Sequence, residues 1–271
     1  MRLPGHPLEA VGGPLARLCR QVGAAGLLAW RVAVLALRAA RGGDARPSRR
    51  DLLWQCYFVG VQSLPVVVTT GAFAGMVLAY SFYHQFLQFG VENLTGALVA
   101  KALVWQLGPV LAGLMLAGRV GCAMTAELGS MVVTEQVDAL RTMGVDPVRA
   151  LVFPRVAALA LMTPVLTLFA NAVGIGAGLA MTVGLGADWH FLNQQIAQFM
   201  VPYDYAYSVS KGLVFGLAIG VVSCGRGLAT TGGAEGVGQA TTEANVWSCI
   251  GVLILNFLMT MVLVFLDPKG W

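Results

Sequence analysis

Five long apolar runs leave this chain few folds to choose from. They lie at about 52–82, 96–117, 156–187, 206–224 and 246–266 of a 271-residue chain. A helix needs about 20 residues to cross the roughly 30 Å hydrocarbon core of a bilayer, and each run is near or above that length. The runs do not alternate in the way the strands of a membrane barrel do. Composition agrees: 57% of residues are hydrophobic, 11% are charged and mean hydropathy is +0.74, whereas soluble domains carry about 25% charged residues. The expected fold is an all-α polytopic membrane protein with five transmembrane helices.

Details of the runs sharpen this. The first holds Pro65, which predicts a kink, and the pair Gly71 and Gly75, whose spacing suits close helix packing. Phe73, Val77 and Leu78 of this run, together with the fifth run, are the candidate lining of an apolar cavity. The second run contains Lys101, Gln106 and Pro109. Lys101 is near its start, where a lysine can snorkel to the interface. The spans offer Asn171, Asn256 and Gln106 but no central carboxylate, and interhelical hydrogen bonding is the simplest use of such groups.

Residues 1–50 hold nine arginines and form a separate tail. Arg17, Arg20, Arg31, Arg38 and Arg41 fall in one sector of a helix at about 100° per residue, with Ala, Leu, Val and Gly elsewhere. That pattern predicts an interfacial amphipathic helix with its cationic stripe toward anionic head groups. The tail, the block 119–155 and Arg226 hold fourteen of the seventeen basic residues, while the loops 84–95 and 188–205 hold none. The positive-inside rule therefore predicts a cytoplasmic N-terminus and a C-terminus on the other side. Residues 51–271 make up the membrane domain.

Several functions find no support. No GxxxxGK[ST] loop, GxSxG elbow or HExxH motif occurs. His6, His84 and His190 are far apart, and Cys19, Cys56, Cys122, Cys224 and Cys249 are scattered without metal-ligand spacing, so neither an enzyme nor a metal site is expected. Nothing points to nucleic acid. An ion-coupled secondary transporter or channel for an apolar substrate is the alternative to be weighed. It would normally carry ionisable groups deep in its spans and repeated halves, and no repeat is visible.

One charged segment interrupts the apolar pattern. "TEQVDALRTMGVDP" (134–147) carries Glu135, Asp138, Arg141 and Asp146. Thr134 is a good N-cap, Glu135 at N1 suits the helix dipole, and Gly144 before Asp146-Pro147 is a natural stop. The segment predicts a helix over 135–143, with Val137 and Leu140 on one face and Glu135, Asp138 and Arg141 on another. So short a helix is marginal alone in water. It is either an ordinary structured loop packed on the span ends or a docking element for a soluble motor.

The stretch "AGRVGCAMTAELGSMVVTEQVDALRTMGVDPVRALVFPR" (117–155) resembles the signature of the MlaE/YrbE permease family, the membrane subunits of ABC transporters that work with MCE-domain lipid-binding proteins. "SLPVVVTTGAFAGMVLA" (63–79), "LGPVLAGLMLAGRVG" (107–121) and "GGAEGVGQATTEA" (232–244) are similar to it too. The resemblance covers about residues 52–266. It implies an interfacial helix plus five spans, a homodimer in the bacterial inner membrane, a cytoplasmic ABC ATPase dimer and a hexameric MCE protein on the periplasmic side. Some such systems add a STAS-domain subunit. ATP and Mg belong to the ATPase, and this chain is expected to bind no cofactor. The cargo is a lipid, taken here as phospholipid, with a sterol or other apolar lipid left open. The segment Thr134, Glu135, Gln136, Val137, Asp138, Ala139, Leu140 and Arg141 corresponds to the coupling helix that contacts the ATPase. One departure stands out: Trp105-Gln106 occupies the place where relatives often have Arg-Glu beside the lipid cavity.

Overall fold

The structure, a computed structural model, describes residues 23, 26–38, 49–91 and 94–265, and among these there are helices and turns but no strand. Five helical stretches are long and apolar enough to cross a membrane: Arg50–Leu87, Thr95–Val133, Val148–Gly184, Pro202–Leu228 and Gly233–Val262. The elements are α1 (26–38), α2 (Arg49–Gly60), α3 (Leu64–Leu87), α4 (Thr95–Ala102), α5 (Gly108–Leu116), α6 (Cys122–Val133), α7 (Gln136–Thr142), α8 (Phe153–Gly184), α9 (Trp189–Phe199), α10 (Pro202–Leu228) and α11 (Gly233–Phe265). Single π-helical turns at Leu103–Leu107 and Ala117–Gly121 join α4, α5 and α6 into one rod.

The number of spans agrees with the apolar runs, but several boundaries do not. The second run was expected to end at 117, yet its helix continues to Val133. Thirty-nine helical residues reach about 58 Å, far more than the hydrocarbon core, so this rod projects well beyond it. Arg119 and Glu127 end the apolar pattern without ending the helix, because their neighbours Ala, Met and Leu are strong helix formers. The Gly/Thr-rich stretch before the fifth run was expected to be a loop, yet α11 starts at Gly233. Thr241 and Thr242 donate their hydroxyls to the carbonyls of Val237 and Gly238 four residues back, so these polar residues are accommodated inside the helix. The loop 188–205 contains α9, whose Asp188 accepts a hydrogen bond from the His190 amide at 3.0 Å. Leu192, Ile196 and Phe199 recur at helical spacing there, and Leu192 is fully buried. Pro65 stands at the start of α3, after a break at 61–63, so it begins a helix where a kink was expected.

Helix α8 is the centre of the bundle. Helix α3 brings Gly71 and Gly75 against Ala170 and Gly174, and a Cβ on Gly75 would overlap the Gly174 carbonyl. Nearer the start of α8, α10 lays Gly212, Gly216 and Gly220 against Pro164, Leu159 and Val156. Lipid is as apolar as leucine, so helices in a bilayer associate through such close approach. The described part of α1 packs Leu28, Ala29, Val32 and Leu35 on the ends of α6, α8 and α10. Its Leu27, Trp30, Arg31, Leu37 and Arg38 are exposed. Arg17, Arg20 and Arg41 of the expected stripe lie outside the described residues.

Gly75→Leu is expected to lower stability by about 1–3 kcal/mol through overpacking, measured by thermal unfolding in detergent. Gly176→Ala, with open space beside its Cα, should leave it unchanged or raise it by up to about 1 kcal/mol.

Candidate functional site

A buried lysine organises the interior. Lys211 lies two turns into α10 and is 0% exposed. Its Nζ donates to four oxygens at 2.8–3.0 Å: the Trp105 carbonyl, Gln106 Oε1, Asn256 Oδ1 and Thr260 Oγ1. None of these partners is a carboxylate. Local sequence explains the first of them. Pro109 has no N–H to offer the carbonyl four residues before it, which is that of Trp105, and the lysine takes the vacant lone pairs. The Gln106 Nε2 also donates to Thr260 Oγ1 at 3.2 Å. An ammonium in this setting is costly unless every N–H finds an acceptor, and here each does.

Aromatic rings surround the lysine. The Trp105 and Tyr207 rings stack with centroids 4.9 Å apart. Lys211 Nζ is 4.6 Å from the Tyr207 ring centroid, and Lys101 Nζ is 5.0 Å from that of Trp105. Trp105 Nε1 donates to Asp204 Oδ1 at 2.6 Å, and Asp204 Oδ2 accepts from the Val201 amide at 2.9 Å. Asp204, read as a loop residue from the sequence, is in the first turn of α10 and 3% exposed. Nearby, Asn171 Nδ2 donates to Ser208 Oγ at 2.9 Å, and its amide oxygen fills the space where any side chain at Gly108 would stand.

These contacts divide the candidate cavity residues. Trp105 and Gln106 turn to α10 and α11 and are committed to the lysine cluster. Leu78 is half-buried among Ala79, Val99 and Leu103. Phe73 and Val77 project outward from α3, 61% and 63% exposed. The five residues therefore do not face one space within a single chain. Lys211 escaped the sequence reading, although the signal was there: a lone lysine inside an apolar run marks a functional or structural polar centre.

Three arginines act as clamps at the opposite end of the spans. Arg155, 4% exposed, pairs with Glu127 at 2.7 Å and donates to the Leu151 carbonyl at 2.8 Å, tying α8 to α6. Arg226 pairs with Glu243 at 2.8 Å, tying α10 to α11. Arg119 donates to Ser63 Oγ and, at 3.2 Å, to Gln62 Oε1 at the α2–α3 break.

Beyond α6 projects α7. It is shorter than expected and is capped differently. Thr134 closes α6, its hydroxyl donating to the Ser130 carbonyl at 2.8 Å. Glu135 takes the N-cap position with φ 60°, the one non-glycine residue at positive φ among those described. The physical reason is that α6 runs straight into α7, and the sharp reversal needs a left-handed residue where glycine is usual. Val137 is buried and Leu140 half-buried, while Glu135, Gln136, Asp138, Ala139 and Arg141 are exposed. Asp138 and Arg141 pair at 2.8 Å, whereas the Glu135 carboxylate has no partner among the described residues. Gly144 stops α7 at φ 76°, its amide and that of Val145 bonding back to the carbonyls of Arg141 and Leu140.

A five-span helical bundle with a buried polar centre and a short helix projecting from one end defines a polytopic membrane protein. Residues 52–262 match the family model described as Permease MlaE, and the chain belongs to that family. It is 40% identical over 219 residues to a probable ABC transporter permease protein of Synechocystis, covering 80% of this chain and 83% of that one. It is 35% identical over 217 residues to the intermembrane phospholipid transport system permease protein MlaE of Haemophilus influenzae, covering 78% and 82%. To the chloroplastic protein TRIGALACTOSYLDIACYLGLYCEROL 1 of Arabidopsis thaliana it is 37% identical over 212 residues, covering 78% and 61%.

Glu127→Gln is expected to cost about 1–2 kcal/mol in detergent unfolding. Breaking a fully buried pair costs about 3–5 kcal/mol, and the half-exposed Glu127 side chain reduces that.

Proposed function

We propose that this chain is the membrane subunit of an ATP-driven lipid transporter and that α7 is its contact with a separate ATPase. The observation that carries the reading is the mostly exposed α7 with the Glu135 carboxylate at its N-cap, set at the end of the long second span within a family that includes relatives named as ABC transporter permeases. Phospholipid is the proposed cargo, in keeping with the name of the Haemophilus relative. The permease works as a homodimer in the inner membrane, its arginine-rich end cytoplasmic, and passes lipid to or from a periplasmic MCE-protein ring. It holds no nucleotide of its own, so ATP and Mg are bound by the partner.

The mechanism follows from what is tied to what. A push on α7 enters α6 directly, because the two share the Thr134–Glu135 corner. The Glu127–Arg155 pair carries it to α8, and the glycine seams carry it from α8 to α3 and α10. The exposed Phe73 and Val77 of α3 and the apolar face of α11 are the surfaces that such a movement presents to lipid between two copies. The buried Lys211 and Asp204 are ionisable groups of the kind an ion-coupled carrier uses, so the alternative reading has one observation in its favour. Lipid flux that required an ion gradient and persisted without any ATPase would select it.

Glu135→Lys is expected to abolish stimulation of the ATPase by the permease while membrane insertion stays normal. Unchanged coupling in an ATPase assay on the reconstituted transporter would remove α7 from the proposal. Glu135→Gly should raise thermal stability by about 1 kcal/mol through relief of the left-handed backbone and still weaken coupling. Mass spectrometry of lipids co-purified with the chain identifies the cargo.

A further inference from the structure

The seam that holds α11 on the bundle changes character halfway along. Among the described side chains of α11, the buried ones are Ala244, Ser248 and Val252, spaced four apart on one face. Val252 seats against Gly113 and Phe215. The next two positions on that face are Asn256 and Thr260, and both end on the Lys211 ammonium. No described side chain beyond Val252 is buried, and Leu255 alone among them joins the main apolar cluster, half-buried. Leu253, Ile254, Phe257, Leu258, Met261, and Val262 are exposed. Between the two halves stands Gly251, with open space beside its Cα. A glycine with no packing reason inside a helix is a weak point.

We propose that residues 253–265 form a gate, hinged at Gly251 and latched by Lys211 to the second and fourth spans. Lys211 is a positioning residue in this device. The inner half of α11 is held by apolar packing, which weakens gradually with separation. The C-terminal half is held by one polar cluster, in which the ammonium bonds two acceptors on the second span and two on the fifth and Gln106 and Thr260 bond each other directly. Asn256 and Thr260 share the ammonium, so both lose that partner in one step. Release would leave the ammonium on two of its four acceptors, the Trp105 carbonyl and Gln106 Oε1, with its third N–H turned to the opened space. The opening lies between α11 and the α5–α10 side of the bundle, next to apolar side chains that already face outward. Its use in moving lipid rests on the function proposed above; the latch itself does not.

The test is hydrogen exchange followed by mass spectrometry on the full chain in phosphatidylethanolamine–phosphatidylglycerol nanodiscs. Lys211→Met is expected to speed exchange about tenfold or more in 253–265 and to leave 236–252 unchanged. The variant Asn256→Leu/Thr260→Val, which keeps Lys211 on the second span, should give the same pattern and decides the matter if Lys211→Met does not fold. Unchanged protection, or protection lost evenly along α11, overturns the latch. In the transporter assembled with its ATPase, a loosened gate should alter lipid transfer while ATP hydrolysis continues, and unaltered transfer overturns the gating role. A wild-type protein that moves no lipid under ATP yet shows the expected exchange pattern would overturn the transport reading and leave the latch standing.

Discussion

Close backbone contact along α8 is the constraint on which the rest of the structure depends. In a bilayer no hydrophobic force draws one apolar helix to another, so association relies on van der Waals packing and interhelical hydrogen bonds. Two glycine-lined seams meet that need, one from α10 along 156–164 of α8 and one from α3 along 170–174. Because α10 is drawn in so tightly, Lys211 is carried into the interior with it. The polar centre is thus a consequence of the packing, and the groups that satisfy it had to come from the helices beside α10.

The way they do so links local chemistry to tertiary structure. Pro109 interrupts the hydrogen-bond ladder of the second span, leaving a carbonyl that lysine can use. A π-helical turn at Leu103–Leu107 precedes it, and such turns recur at functional sites. The lysine is held by neutral oxygens and a ring face, with Trp105 and Gln106 supplying two of the oxygens and Tyr207 the ring. A neutral cage gives up an ammonium more readily than a carboxylate would in low dielectric, which suits a contact that opens and closes.

At the other end of the spans the charges serve a different purpose. Three arginines bond across helix ends, and two of them close ion pairs between helices, α6 with α8 and α10 with α11. The segment that follows, α7, keeps its carboxylate at Glu135 free and accepts a left-handed backbone to do so. The charges that brace these helix ends are paired, while the Glu135 carboxylate at the α6–α7 corner has no partner among the described residues.

Five spans and a short charged helix after the second span were legible in the residues. Their periods and lengths reflect local rules: a helix must be apolar over about 20 residues to cross lipid, and glycine before Asp-Pro stops one. Span ends were less legible, since Arg119, Glu127 and the threonines near 241 change composition without changing backbone hydrogen bonding. Gln106 and Asn256 were legible as interhelical hydrogen-bonding groups, but not that they and the other partners of Lys211 share one ammonium. They sit 45–106 residues away in sequence, and only the seams on α8 bring them within 3 Å of one nitrogen. Composition and periodicity decided that the chain crosses a membrane five times, because each crossing is satisfied within its own helix. Which polar groups meet inside, and which apolar faces stay outside, depended on how the helices approach one another, and that is a property of pairs of surfaces far apart along the chain.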